Sequence, residues 1–301
     1  MKYSLLKLSV LVIALAFTIG SCKKNSDNST NSTSQTEYDT QSSQDNALAE
    51  NTYSDMGTMA DQAGDSNSIA YYRPSGDNSV LGSGCSTVTL VSGTPNVITI
   101  DFHSNWCLCW DGRYRKGIFT VSYTGTYRDT AAVITIAATS ANNYYVSYPG
   151  DTIHWIKVTG THVVTNHGHN SNGHLWYDVN VNGTLYNNSG ATMTWTSQRT
   201  REWVSGDTTP TWLDDQYSIT GTASGTSFEG VHFTVAIDNS NPLFVDLTCF
   251  AQHLYSCKIT KGKFSLTPDG KPTRYLDFGT GACDNAAVVT VNGYSFTVYV
   301  R

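Results

Sequence analysis

Beyond Cys85 the chain is built from short runs in which apolar and polar residues alternate. Val97-Ile98-Thr99-Ile100-Asp101-Phe102, Ile118-Phe119-Thr120-Val121-Ser122-Tyr123 and Val133-Ile134-Thr135-Ile136 are three of them. His154-Trp155-Ile156-Lys157-Val158, Leu175-Trp176-Tyr177-Asp178-Val179-Asn180-Val181, Val231-His232-Phe233-Thr234-Val235-Ala236-Ile237 and Val288-Val289-Thr290-Val291 continue the series. A period of two places successive side chains on opposite faces, so each run reads as a strand with one buried face. Thr, Val, Ile, Tyr and Trp dominate the runs, the residues a pleated, half-buried surface prefers. Asn182-Gly183 and Asn292-Gly293 have the composition of two-residue hairpin turns, and Asp269-Gly270 marks a third turn. About a dozen short strands without a helical apolar period predict an all-β, antiparallel sandwich-like domain over 85–301. No linker-like break divides it.

The first 84 residues differ. Lys2 and Lys7 precede an apolar stretch from Leu8 to Ile19, which ends on Gly20 and Ser21. That is the arrangement of an export signal over 1–21, and the stretch is too short for a spanning helix. Ile19-Gly20-Ser21-Cys22 resembles the lipobox of bacterial lipoproteins, which implies lipid attachment at Cys22 and the membrane as first partner. Lys23 and Lys24 would face anionic headgroups. Residues 22–84 are Asn, Ser, Thr, Gln and Asp with sparse apolar positions. The expectation is a disordered linker, because such a segment buries too little apolar area to offset its ordering entropy. Without Lys2 and Lys7 the mature chain carries 16 bases against 24 acids, and it has no basic stripe. Nucleic acid is therefore not an expected partner.

Six cysteines remain beyond Cys22: Cys85, Cys107, Cys109, Cys249, Cys257 and Cys283. In an exported chain an even number reads as a disulfide framework. A faint repeat narrows the pairings. Ile100-Asp101-Phe102 precedes Cys107, and Leu276-Asp277-Phe278 precedes Cys283, at equal spacing from the aspartate. The expected links are Cys85–Cys107, Cys257–Cys283 and, for the remaining two, Cys109–Cys249. A metal or redox site on Cys107-Leu108-Cys109 is the rival, weakened by the lack of a matching cysteine pair.

Several stretches together are similar to one set of uncharacterised lipoproteins of Bacteroidota. They are Asp111-Gly112-Arg113-Tyr114-Arg115-Lys116-Gly117, Tyr123-Thr124-Gly125-Thr126-Tyr127-Arg128-Asp129 and Arg199-Thr200-Arg201-Glu202-Trp203. Gly270-Lys271-Pro272-Thr273-Arg274, Asp277-Phe278-Gly279, Cys283-Asp284-Asn285 and Val291-Asn292-Gly293-Tyr294 extend the likeness to the C-terminus. The resemblance implies an outer-membrane or cell-surface address and no activity; the expected face is periplasmic or extracellular, with the extracellular favoured. It also makes Asp129-Thr130-Ala131, Asp151-Thr152-Ile153 and Asp207-Thr208-Thr209 candidate O-glycosylation sites.

Residues with chemical potential fall into four groups. His167, His169 and His174, with His154 and His162 nearby, are weak candidates for a metal site, set in a polar Asn- and Gly-rich stretch. Among seven tryptophans, Trp155 and Trp176 lie in strand runs and should pack. Trp106 and Trp110, in the cysteine loop, are candidates for an exposed sugar-binding surface. Asp214, Asp215, Glu202 and Glu229 are the carboxylates available to a glycosidase, though no spacing selects them. Arg113, Arg115, Arg199 and Arg201 are expected to brace turns through Asp101, Asp111 or Asp277. No catalytic motif is present, so the expected role is a non-enzymatic surface module without a cofactor, binding a glycan or a protein, or a component of an envelope assembly. A carboxylate-dependent hydrolase is the alternative, and a histidine-loop metal-binding protein the third reading.

Overall fold

The computed structural model describes residues 41–64, 80–81, 84–147, 151–209, 213–249, 259–284 and 286–299. Cys22, Lys23, Lys24, Tyr71, Tyr72, Trp212 and Cys257 lie outside them. The described residues belong to one compact unit. Among them no helix is long and apolar enough to cross a membrane.

One helix and seventeen strands make the fold. Helix α1 spans Gln41–Gly64, 24 residues, or roughly 36 Å of axis. Then come β1 (Thr87–Val91), β2 (Asn96–Asp101), β3 (Cys107–Leu108), β4 (Tyr114–Lys116), β5 (Ile118–Tyr123) and β6 (Val133–Ala138). After β7 (Tyr145–Ser147) the strands lengthen: β8 (Trp155–His169), β9 (Leu175–Asn187), β10 (Thr192–Ser205) and β11 (Gln216–Thr226). The chain closes with β12 (His232–Ile237), β13 (Leu243–Asp246), β14 (Ile259–Pro268), β15 (Arg274–Thr280), β16 (Ala286–Val291) and β17 (Tyr294–Tyr299).

Every pairing is antiparallel, and all the strands join in one sheet. The all-β reading holds. The count exceeds the expected dozen because β3, β4, β7 and β13 are too short to show a period, while β8 to β11 are longer than the runs suggested. Ile98 of β2, Phe119 of β5, Trp195 of β10, Phe233 of β12 and Leu266 of β14 share one core cluster with Tyr53, Met56 and Met59 of α1. Strands far apart in the sheet thus face the same helix. The sheet curls around α1.

That helix corrects the expectation for residues 22–84, because 41–64 are an ordered core element and not linker. Its buried positions are Ser42, Asp45, Asn46, Ala49, Thr52, Tyr53, Asp55, Met56, Gly57, Met59, Ala60, Ala63 and Gly64. They recur three and four apart, as a helix face must. The stripe escapes an apolar scan because Ser42, Asp45, Asn46, Thr52 and Asp55 interrupt it. Three of its polar members meet partners outside the helix: Trp195 Nε1 donates to Asn46 Oδ1 at 3.0 Å, the Phe228 amide to Asp45 at 2.8 Å and Arg115 to Asp55 at 2.7 Å, while Thr52 donates to Leu48 O one turn back.

Asn182-Gly183 is the second correction. It lies inside β9, where Gly183 pairs with Gly160 on one side and Trp195 on the other. A Cβ on Gly183 would sit 1.7 Å from the Tyr53 hydroxyl, and Gly160 holds φ at +127° with Asn182 O 2.3 Å from its own absent Cβ. The glycines let the helix and the neighbouring strand approach, and the Tyr53 hydroxyl donates to Thr159 O at 2.9 Å. Asn292-Gly293 and Asp269-Gly270 do form turns, with Asn292, Gly293 and Gly270 at positive φ.

Cys85–Cys107 forms as expected. The other expected links do not: Cys249 pairs with Cys283, and Cys109 is a buried free thiol. The repeat misled because it matched strand positions, whereas Cys249 follows β13, the strand laid between β11 and β14. Burial pushes the Cys109 thiol above its usual pKa, against the pull of Arg115, which keeps it protonated and unreactive.

Candidate functional site

The curled sheet has two faces of opposite character. Arginines line the inner one. Arg115 is fully buried and bonds Asp55 of α1 at 2.7 Å and Asp111 at 2.5 and 2.8 Å. Burial opposes its charge, but Asp55 and the Asp111 hydrogen bonds outweigh that and hold the guanidinium charged. Arg113 stands 3.5 Å from the same Asp55, Arg199 bonds Glu50 at 2.8 Å, and Arg201 lies 3.7 Å from Asp61. The arginines were expected to brace turns. Arg115 does so through Asp111, but Arg199 and Arg201 clamp the helix. Neither Asp101 nor Asp277 joins them: Asp101 accepts from the His103 amide and Asp277 pairs with Lys263.

The outer face of the long strands carries uncharged polar side chains in cross-strand register. Thr161 of β8 pairs with Asn182 of β9, which pairs with Thr196 of β10. Thr196 pairs with Ser224 of β11, then Thr234 of β12 and Thr267 of β14 follow. This row of six crosses six strands, a span of about 24 Å at the usual inter-strand spacing. A parallel row two residues along contains Asn180, Gln198 and Thr222. Together the rows line a groove of about 770 Å³ with neither charged nor aromatic residues in its lining. The Thr196 and Ser224 hydroxyls are 2.9 Å apart. Neither row is visible in the sequence, because its members meet only through strand register.

Beyond one margin of the groove, on β4, β7 and β8, lies a cationic aromatic row. Lys116 pairs with Tyr145, and Tyr145 with Lys157. The Lys116 ammonium sits 4.7 Å over the Trp106 ring and 4.8 Å over Tyr145; Lys157 is 5.7 Å from Tyr145. Trp106 and Trp155 both meet Tyr145 edge-on, with centroids 6.2 and 5.1 Å away. Trp106, expected to be exposed, is half-buried under this lysine. Trp110 is 51% exposed at the turn between β3 and β4.

Toward the other end of β8, β9 and β10 the histidines are spoken for. His167 donates to Asp178 at 2.8 Å and stacks on Trp176 with centroids 4.1 Å apart. Trp176 is therefore on the outer face and not in the core. His174 and Asn170 both donate to Glu202 at 2.7 Å, and these bonds, Asn170's foremost, hold that carboxyl below its usual pKa. His169 is exposed, and His154 pairs with Asp151. His162 is buried inside, its Nδ1 donating to Tyr53 O at 3.0 Å. Among the described residues no three ligands gather for a metal.

Three of the four carboxylates weighed for hydrolysis, Glu202 among them, are each held by hydrogen bonds of their own. Asp214 accepts from Thr209, buried Asp215 accepts from Tyr217 at 2.9 Å, and Glu229 is exposed between β11 and β12. Thr130, Thr152 and Thr208 of the three candidate glycosylation motifs are all exposed in loops. Comparison with family models, curated proteins and solved structures returns no match, so the functional argument rests on this geometry.

Proposed function

We propose that the chain is a lipid-anchored cell-envelope module that binds an extended polysaccharide across its outer groove, at the outer membrane and facing outward. The groove carries the reading. Its volume falls in the range of ligand sites, and its rim is set by Thr, Ser, Asn and Gln side chains, with no aromatic or charged residue in the lining. Hydroxyls and amides repeated across six strands offer a regular array of donors and acceptors, which suits a polymer of hydroxylated units. A protein interface would instead be expected to concentrate aromatic and arginine anchors. The lipobox-like Cys22 and its apolar leader support attachment to a membrane. The resemblance to Bacteroidota lipoproteins supports the outer-membrane address. No observation favours the hydrolase or the metal-binding reading.

The test is binding by the detergent-solubilised mature chain to an array of envelope and plant polysaccharides. Retention of at least one polymer, weakened about tenfold or more by Asn182→Leu with Thr196→Val and Ser224→Ala, is the expected result. A chain that binds no polysaccharide, or whose binding ignores that triple substitution, would overturn the proposal.

A further inference from the structure

The Lys116–Tyr145–Lys157 row is an unusual use of charge in an acidic protein. Both lysines are half-buried, and among the described residues neither has a carboxylate within ion-pair distance. Lys157 donates to Ser140 O at 3.1 Å and Asn143 Oδ1 at 2.9 Å. An ammonium has three N–H donors, so one stays available. Lys116 is held over two rings, which fixes its place without occupying its donors. The attraction of a cation to an aromatic face orders the lysine and does not neutralise it. Two positioned, uncompensated positive charges therefore stand one strand apart on either side of Tyr145.

Their place relative to the groove matters. The groove reaches β8 at Thr161, four residues from Lys157, which is about 13 Å along an extended strand. Both sets of side chains share the outer face. Farther along β9 and β10, the Asp178 and Glu202 carboxylates are paired with His167 and His174. An anion on a bound polymer is thus drawn to the lysine end of this face.

We infer that Lys116 and Lys157, set around Tyr145 and Trp106, form a subsite for a carboxylate-bearing sugar unit, so that the polymer held in the groove is an acidic polysaccharide. The inference rests on the polysaccharide reading. An anionic lipid surface is the less suitable occupant. Two lysines alone give only a weak hold on such a surface, where clusters of about four or more are the usual signature.

The experiment compares polygalacturonate with its methyl ester, and other polymers in matched carboxylated and neutral forms, on the mature chain in detergent. The expected result is a preference of about tenfold for the carboxylated form, shrinking as salt rises. Lys116→Gln with Lys157→Gln should abolish that preference and leave binding of the neutral form unchanged. Lys116→Arg with Lys157→Arg should keep it. Ligand addition should also alter tryptophan fluorescence in the parent and less in the glutamine variant. Equal binding of both forms by the parent, with neutral binding intact, overturns this inference alone. Binding of neither form anywhere on the array overturns the groove reading and the subsite with it. Competition by phosphatidylglycerol vesicles that removes carboxylate-form binding reassigns the lysines to lipid headgroups and overturns the inference.

Discussion

Strand β10 presents both faces of the molecule at once. Inward it sets Met193, Trp195, Ser197 and Arg199 against α1; outward it sets Thr194, Thr196, Gln198 and Thr200. The inner set is buried, and most of it is engaged by apolar packing, stacking or charge: Trp195 lies parallel to Tyr53, with centroids 5.8 Å apart, and Arg199 takes Glu50. The outer set is exposed or half-buried, uncharged, and makes few bonds that folding requires. Stability selects the first list. Nothing in the packing selects the second, and a surface that only needs solubility would carry more charge. The inner face is what makes the fold, and the outer face is where selection for binding can act.

This contrast makes sharp predictions about stability, beginning inside. Asp55→Ala leaves Arg115 fully buried with half its countercharge, and removing one partner of a buried pair costs about 3–5 kcal/mol. Chemical denaturation of the mature chain measures it. A change below about 1 kcal/mol would mean that α1 is only loosely attached and that the inner face is not the stabilising one.

The Cys249–Cys283 link should follow closely. It closes a loop of 34 residues, for which the chain-entropy model gives about 4 kcal/mol. Cys249→Ser should lower the denaturation midpoint accordingly and expose a new thiol at Cys283. Cys257→Ser should leave Cys283 oxidised. The reverse pattern in a thiol titration would restore the pairing that the repeat suggested.

Acid should loosen the inner face too. Burial first, and then Arg201, pushes the His162 pKa down to about 4, against the bond to Tyr53 O. The unfolded chain protonates this histidine near 6.5, so between about pH 6.5 and 4 it binds more protons than the folded one. Stability from neutral His162 is present above pH 6.5 and falls with pH through that window, by roughly 3 kcal/mol in all. His162→Gln should flatten the slope of stability against pH between those limits. An unchanged slope would show that His162 is not the group responsible.

How much of this was legible in the chain follows the same division. Strands such as Ile118–Tyr123 were plain because their buried residues are Phe119, Val121 and Tyr123, local and apolar. Helix α1 was hidden because its buried stripe includes Ser42, Asp45, Asn46, Thr52 and Asp55, of which Asp45, Asn46 and Asp55 are tolerable inside only through partners outside the helix. Glu50, Asp55 and Asp61 read as linker acids until Arg199, Arg113, Arg115 and Arg201 are brought beside them. The groove was hidden more deeply. Thr161, Asn182, Thr196, Ser224, Thr234 and Thr267 each look like the solvated half of an alternating strand, and only the register shows that they form one row. Trp106 was found in the sequence, but Lys116 and Tyr145, which give it meaning, were not.

The smallest expected effect on stability is on the outer face, and it sharpens the contrast most. Thr196→Val with Gln198→Leu changes two exposed side chains on β10 whose neighbours in register are also exposed or half-buried. Surface substitutions away from special features shift stability by no more than about 0.5 kcal/mol, and β-branched valine suits a strand. Polysaccharide retention should fall even so, because two members of adjacent rows lose their donors and acceptors together. Measured side by side, denaturation and binding should therefore separate: Asp55→Ala lowers the first strongly, and this pair lowers only the second. If the outer pair destabilised the chain by several kcal/mol instead, the rows would be structural. Their regularity would then reflect sheet packing, and the groove would lose its claim to be a site.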